Sequence, residues 1–225
     1  MSIHVNVGNM DARLDVMPNE CPYCHNKIAP TPMWANKNDN MGKASVVFRC
    51  NYEKCRELFI GYYTFTTNTN GGGWSSLASL SDISIGTNKV KEFHKSISVI
   101  SPSFIEIFNQ AFAAEQYKLL QICGVGYRKA LEFLIKDFSI KNKPEKEDEI
   151  KKGNLAKVIE DHIEDSRIKI VAKRAVWLGN DETHYVRKWE TKDLTDLKNL
   201  IDLTLTMIQA ESDFEELKIS MPEGK

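Results

Sequence analysis

NTNGGGWSSLASLSD, residues 68–82, lies between two parts of the chain with different patterns. Gly, Ser and Asn crowd this stretch, and such clusters between patterned segments read as loop. It therefore reads as the start of a linker or loosely packed arm over residues 68–100. On its N-terminal side, residues 1–67 hold two pairs of cysteines and two strand-like runs, ASVVFR (44–49) and LFIGYYTFT (58–66). Both runs are rich in β-branched and aromatic residues. On its C-terminal side, residues 101–225 turn helical. The expected fold is mainly α, a helical bundle preceded by a small β module.

The helical part opens on SPSFIE (101–106). Pro102 suits a first helical turn, and Ser103 with Glu106 matches a capping box, each side chain satisfying an orphan backbone N–H. Leu120, Cys123, Gly124, Tyr127, Ala130, Leu131, Leu134, Ile135 and Phe138 recur at steps of three and four and make one apolar helix face. Arg128, Glu132 and Lys136 form a charged ladder opposite it. Leu155, Val158, Ile159 and His162 mark a shorter helix. Ile168, Val171, Ala172, Ala175 and Leu178 mark another, stopped by Gly179 in a capping role. A last helix runs from about Lys192 to Leu217, with Leu194, Leu197, Ile201, Leu205 and Ile208 on one face. Four or five amphipathic helices joined by short or moderate links pack as a bundle.

With 225 residues, 42% apolar and 27% charged, the chain reads as an ordinary globular protein. Its formal charge of -1 excludes a strong whole-molecule attraction for nucleic acid or membrane, so any such affinity must come from local charge. The N-terminal MSIHVNVGNMDARLDV (1–16) lacks the apolar core of a secretory signal. No run is long and apolar enough to span a bilayer. A cytoplasmic protein without membrane association is the expectation.

Five cysteines, an odd number, argue against a disulfide framework, and four of them are grouped. CPYC supplies Cys21 and Cys24; CNYEKC supplies Cys50 and Cys55. Each pair can present two thiolates on one turn, and two such turns make a tetrahedral sulfur cage for zinc. The module is too small to fold well on an apolar core alone, which favours a metal. The small β module is therefore expected to be a zinc ribbon. Four thiolates leave the metal no open position, so this Zn²⁺ is expected to be structural. His25 is a possible substitute ligand, and a redox CxxC is the rival reading, though it leaves the second pair unexplained.

GVGYRKALEFLIKDF (124–138) and AKRAVWLGNDETHYVRKW (172–189) together resemble one family, the domain of unknown function 4145, over roughly residues 101–208. The cysteine pairs resemble a zinc ribbon that some of its members carry. The resemblance implies the helical superfamily called HEPN-like, found alone or fused to prokaryotic defence proteins. Many HEPN-like relatives are metal-independent ribonucleases that use an Arg followed, after four to six residues, by a His. There the His is general acid/base and the Arg stabilises charge on the phosphate, and two such pairs meet across a dimer.

This chain departs from that pattern. The positions that should hold the Arg before His184 are Trp177, Leu178 and Gly179, and the nearest upstream Arg is Arg174. Asn180 and His184 keep the Asn-x3-His half of the motif. Residues 166–188 nonetheless hold Arg167, Lys169, Lys173, Arg174, Arg187 and Lys188 against Asp181 and Glu182, and a phosphate-binding surface formed with Lys173, Arg187, Asn180 and Asp181 would follow. The plainer reading is a turn in which Gly179 caps a helix, Asn180 and Asp181 bond to nearby backbone, and His184 packs. The functional expectation is a non-catalytic, zinc-containing module, a homodimer, that binds RNA, DNA or a defence-system protein. The alternative is a ribonuclease with a displaced constellation, His184 as acid/base and Arg174 or Arg128 as phosphate stabiliser.

Overall fold

The computed structural model describes residues 3–222 apart from 9, 39, 68–73 and 183. The chain divides into two compact units, Met1–Lys89 and Val90–Lys225, and each has its own apolar core.

The first unit is a six-stranded sheet in the order β1-β2-β6-β5-β4-β3. Its strands are β1 Ile3–Val7, β2 Met10–Leu14, β3 Thr31–Asn38, β4 Lys43–Arg49, β5 Leu58–Thr67 and β6 Trp74–Ile83. All neighbours pair antiparallel except β2 with β6, which run parallel through Arg13 opposite Leu77 and Leu14 opposite Ala78. Alternation along the strands, interrupted by register shifts in the β3/β4 and β5/β6 pairs, puts Val5, Met10, Ala12, Leu14, Ala35, Ala44, Val46, Phe48, Phe59, Tyr63, Phe65 and Ala78 into one core. The sheet curls until its edge strands β1 and β3 touch. Gly8, at φ +65°, makes that approach possible, because a Cβ there would stand 2.0 Å from the Ala35 carbonyl oxygen.

This architecture corrects the expected mainly α fold with a small β ribbon. The sheet is large and mixed, and its six strands supply about half of the first unit. Two elements make the difference. Residues 3–14 form a hairpin, and the Ser-rich stretch expected to be a linker supplies β6, an inner strand paired on both sides. Ala78 at its centre is fully buried. Residues 68–73 of the expected arm lie outside the described residues.

The second unit is helical: α1 Lys95–Ile100, α2 Pro102–Gln116, α3 Leu120–Asn142, α4 Glu147–Lys152, α5 Leu155–His162, α6 Ser166–Asp181 and α7 Leu194–Ser220. The α3 face read from the sequence is buried from Cys123 to Phe138, with Leu120 alone exposed, and Glu132 bonds both Arg128 and Lys136. Two local expectations change. Ser101, not Ser103, caps α2, its Oγ accepting from the Phe104 N–H while Pro102 takes the first helical position. Gly179 does not stop α6, which continues to Asp181. A Cβ at Gly179 would lie 2.6 Å from Arg128 Cδ, so the glycine serves close packing of α3 on α6. Among the described residues, no helix is long and apolar enough to cross a membrane.

Candidate metal centre and the His184 turn

Cys21 and Cys24 lie on the loop after β2, and Cys50 and Cys55 on the loop between β4 and β5. The two loops fold alike around their second cysteine. The His25 N–H donates to the Cys21 carbonyl, and the Arg56 N–H to the Tyr52 carbonyl. His25 and Arg56, each directly after a cysteine, take φ values of 57° and 58°. That left-handed step turns each chain back sharply and aims the thiols inward. The Cys21 N–H is held by the Asn26 carbonyl and the Cys50 N–H by the Glu57 carbonyl.

The four Sγ atoms lie within 4.8 Å of one another. Cys21 to Cys55 and Cys24 to Cys50 are each 3.8 Å apart. These separations are too long for a disulfide, whose sulfurs are bonded at about 2.0 Å. They match the edge of a tetrahedron with metal–sulfur bonds of about 2.3 Å, which is about 3.8 Å. The chain thus has a possible metal site of four cysteines, and the donor set and its spacing fit a tetrahedral, sulfur-seeking ion. His25 is not part of it; its Nε2 is 3.5 Å from Thr87 Oγ1.

The packing of the cluster shifts three of the four thiols. Burial pushes the Cys55 thiol up to about 12, helped by the neighbouring thiols, and burial raises that of Cys50. Burial opposes ionisation of Cys24 too, but hydrogen bonds from the side chain and backbone of Asn26 outweigh it and bring that thiol down to about 7. A bound dication would favour the ionised form of the cysteine sulfurs. Residues after β6 strap the first cysteine turn. Thr87 donates to the Tyr23 carbonyl at 2.5 Å, Lys89 pairs with Glu20, and Gly86 lies so close that a Cβ would meet the Pro22 carbonyl oxygen at 2.2 Å.

In the second unit the end of α6 and the segment before α7 form a compact turn. Asp181, buried, accepts hydrogen bonds from the Lys188 and Trp189 N–H groups at 2.9 and 2.7 Å. This clamp draws Trp189 back onto α6, where it stacks on Trp177 with the ring planes 7° apart and the centroids 6.2 Å apart. The Arg174 guanidinium lies over the other part of this pair, 5.9 Å from the Trp177 ring. His184 is exposed and shares a depression of about 320 Å³ with Trp177, Asn180, Asp181, Lys188 and Trp189.

No family model, curated protein or solved structure matches the chain.

The cysteines chosen from their spacing come together in one cluster. The expected residues around His184 come together only in part. Asn180 and Asp181 do share its depression, but Lys173 pairs with Glu160, and Arg187 bonds Glu182 and the Lys192 carbonyl. Arg128 reaches Asn180 Oδ1 through Nε at 3.0 Å and Glu132 through Nη1 at 3.1 Å. Arg174 donates to the Ile170 carbonyl and turns its face to Trp177. Sequence reasoning missed the two tryptophans as a pair. Their signal was an aromatic on each side of an acid-bearing turn, but the twelve-residue separation from 177 to 189 gives no periodic cue.

Proposed function

We propose that this protein is a non-catalytic nucleic-acid-binding protein whose β unit is held by a structural Zn²⁺. The observation that carries the metal part is the closed four-sulfur cluster with its 3.8 Å separations. Cys21, Cys24, Cys50 and Cys55 would supply all four bonds. When bound, such an ion contributes cross-linking and charge compensation, not a coordination position for substrate. The protein's own groups do the rest: Asn26 stabilises the thiolate of Cys24, and Thr87 and Gly86 fix the turn that carries it.

The binding part rests on the second unit. Its exposed chemistry around His184 is aromatic and cationic, while neither Arg128, bonded to Asn180 and Glu132, nor Arg174, over the Trp177 ring, lines the depression that holds His184. Phosphate affinity without a paired acid/base is what a binding protein requires. The resemblance to the 4145 family and its HEPN-like relatives agrees with this reading and adds a role in prokaryotic defence and a homodimeric state as parts of the proposal.

A second reading has one observation in its favour. Arg128 holds Asn180, which shares the depression with His184, so an Arg–Asn–His chain exists in outline. Ribonuclease activity would then survive chelator and vanish in His184→Ala. Metal analysis of the purified protein should return one zinc per chain, and short RNA and DNA oligomers should bind at low salt and remain intact. A metal-free, folded protein would sink the structural-ion reading, and lack of affinity for every nucleic acid would sink the binding reading.

A further inference from the structure

Arg174, Trp177, Leu178, Trp189, Lys192, Asp196, Asn199 and Leu200 line a second depression, of about 440 Å³, beside the one that holds His184. Trp177 and Trp189 belong to both, so the stacked indoles form the ridge between them. Trp177 and Trp189 are 46% and 44% exposed although each offers a large apolar surface that folding could have buried. Nearly parallel planes that stay open to solvent can extend their stack by a further flat ring.

The acids and the cations around the ridge differ in their partners. The two acids are spoken for: Asp181 accepts two backbone N–H groups, and Asp196 takes Lys192 and the Asp193 N–H. Arg174 and Lys188 are exposed, and neither has a carboxylate partner among the described residues. They lie in different depressions, one on each side of the ridge. Asn199, also exposed, adds an amide able to donate and accept at once.

We infer that the Trp177–Trp189 ridge is a stacking platform for an unpaired nucleobase, with Arg174 and Lys188 binding the phosphates on its two sides. The inference rests on the nucleic-acid reading above and narrows it to bases freed from a duplex. An aromatic face attracts any base by stacking, and flanking cations add phosphate affinity without sequence preference. A duplex keeps its bases stacked inside, so its ends alone could reach the indoles. The ligand chemistry, a flat base bearing phosphate, is shared by a single strand and a free nucleotide.

Full-length, metal-replete protein is titrated with a single-stranded oligoadenylate, the same strand in a duplex, and AMP, while tryptophan fluorescence and anisotropy are followed. The single strand should quench tryptophan emission and bind more tightly than the duplex. Trp177→Ala and Trp189→Ala should each weaken it roughly 5- to 150-fold, the range expected for losing one base stack. Trp177→Phe should recover most of that loss. Arg174→Ala should lower the slope of log affinity against log salt by about 0.7. AMP binding as tightly as the oligomer would support the platform and assign a free nucleotide to it. Circular dichroism equal to the parent protein shows that a weakened variant is still folded. Single strands that bind with unchanged affinity to folded Trp177→Ala, or a duplex bound as tightly as the single strand, would overturn the platform while leaving a nucleic-acid-binding protein. No binding by any of the three probes would overturn both.

Discussion

Asp165 shows how much one side chain can decide at a helix end. Its carboxylate accepts from the Arg167 and Ile168 N–H groups and forms a two-pronged pair with the Arg167 guanidinium, so it both caps α6 and complements the positive end of the helix. The bond from Arg167 is the largest influence holding its pKa down, and together with the backbone bonds it brings the group to about 2. An unfolded Asp titrates near 3.9, so the folded value is depressed. The stabilisation is complete above about 3.9 and fades as pH falls from there through about 2. Asp165→Ala should therefore cost about 1 kcal/mol at neutral pH, and the cost should shrink in strong acid to what a neutral cap is worth. Asp165→Asn should keep much of the cap and lose the pH dependence. Urea titrations of the three proteins between neutral pH and pH 2 check both, and a loss independent of pH would show that the charge does nothing. At the same scale, Gly124 and Gly179 admit the side chains of Glu182 and Arg128 into gaps that a methyl would fill, each at 2.6 Å.

Among the elements, β6 makes the largest difference to the architecture. Its sequence, WSSLASLSDI, carries four serines and one aspartate in ten residues, which on composition alone is loop. Inner strands usually announce themselves by β-branched or aromatic residues, but the buried position at the centre of this strand is a small one, Ala78, paired with Leu14 and Phe65 in a core that also holds Tyr63. Small residues that satisfy a crowded interior look the same in sequence as small residues that satisfy nothing. The β1–β2 hairpin was missed as well, although Val5, Met10, Ala12 and Leu14 alternate with polar residues on either side of Gly8. The helices were read most faithfully because their apolar positions keep a period over many turns, as in α3 and α7. The metal cluster was legible for a different reason, the chemistry of thiols at short spacing, whereas the tryptophan ridge exists only through the Asp181 clamp and has no local pattern. A proline tests the strand directly. Ala78→Pro removes an N–H from a strand bonded on both sides and should orphan a buried carbonyl at a cost of about 1–3 kcal/mol, besides straining the ladder. A linker at that position would tolerate the change. Hydrogen exchange of residues 10–14 and 58–66 should speed up in this variant, and unaltered protection there would contradict the inner-strand assignment.

At the scale of the whole molecule, the two units are stabilised by different means. The helical unit has a continuous core from Ile97 to Ile208 in which Phe104, Phe108, Tyr127, Leu131, Leu134 and Ile135 are fully buried. The sheet unit has fewer large buried side chains, and several of its inward positions are alanines, Ala12, Ala35, Ala44 and Ala78. Burial stabilises by about 25 cal/mol per Å² of apolar surface, so an alanine-rich interior contributes less for each ordered residue. Cys21 and Cys50 are themselves part of that core, which ties the sulfur cluster to the packing of the sheet. Binding free energy from a four-thiolate ion is folding free energy for whatever its ligands hold together. Unfolding should accordingly occur in two transitions rather than one. A strong chelator should lower the midpoint of the transition that belongs to residues 3–89 and leave that of residues 90–222 in place, and added Zn²⁺ should reverse the shift. Cys24→Ser should reproduce the effect of chelator and make the protein indifferent to it. Calorimetry with hydrogen exchange assigns each transition to its unit; equal movement of both midpoints, or of neither, would mean that the cysteine cluster does not anchor the sheet.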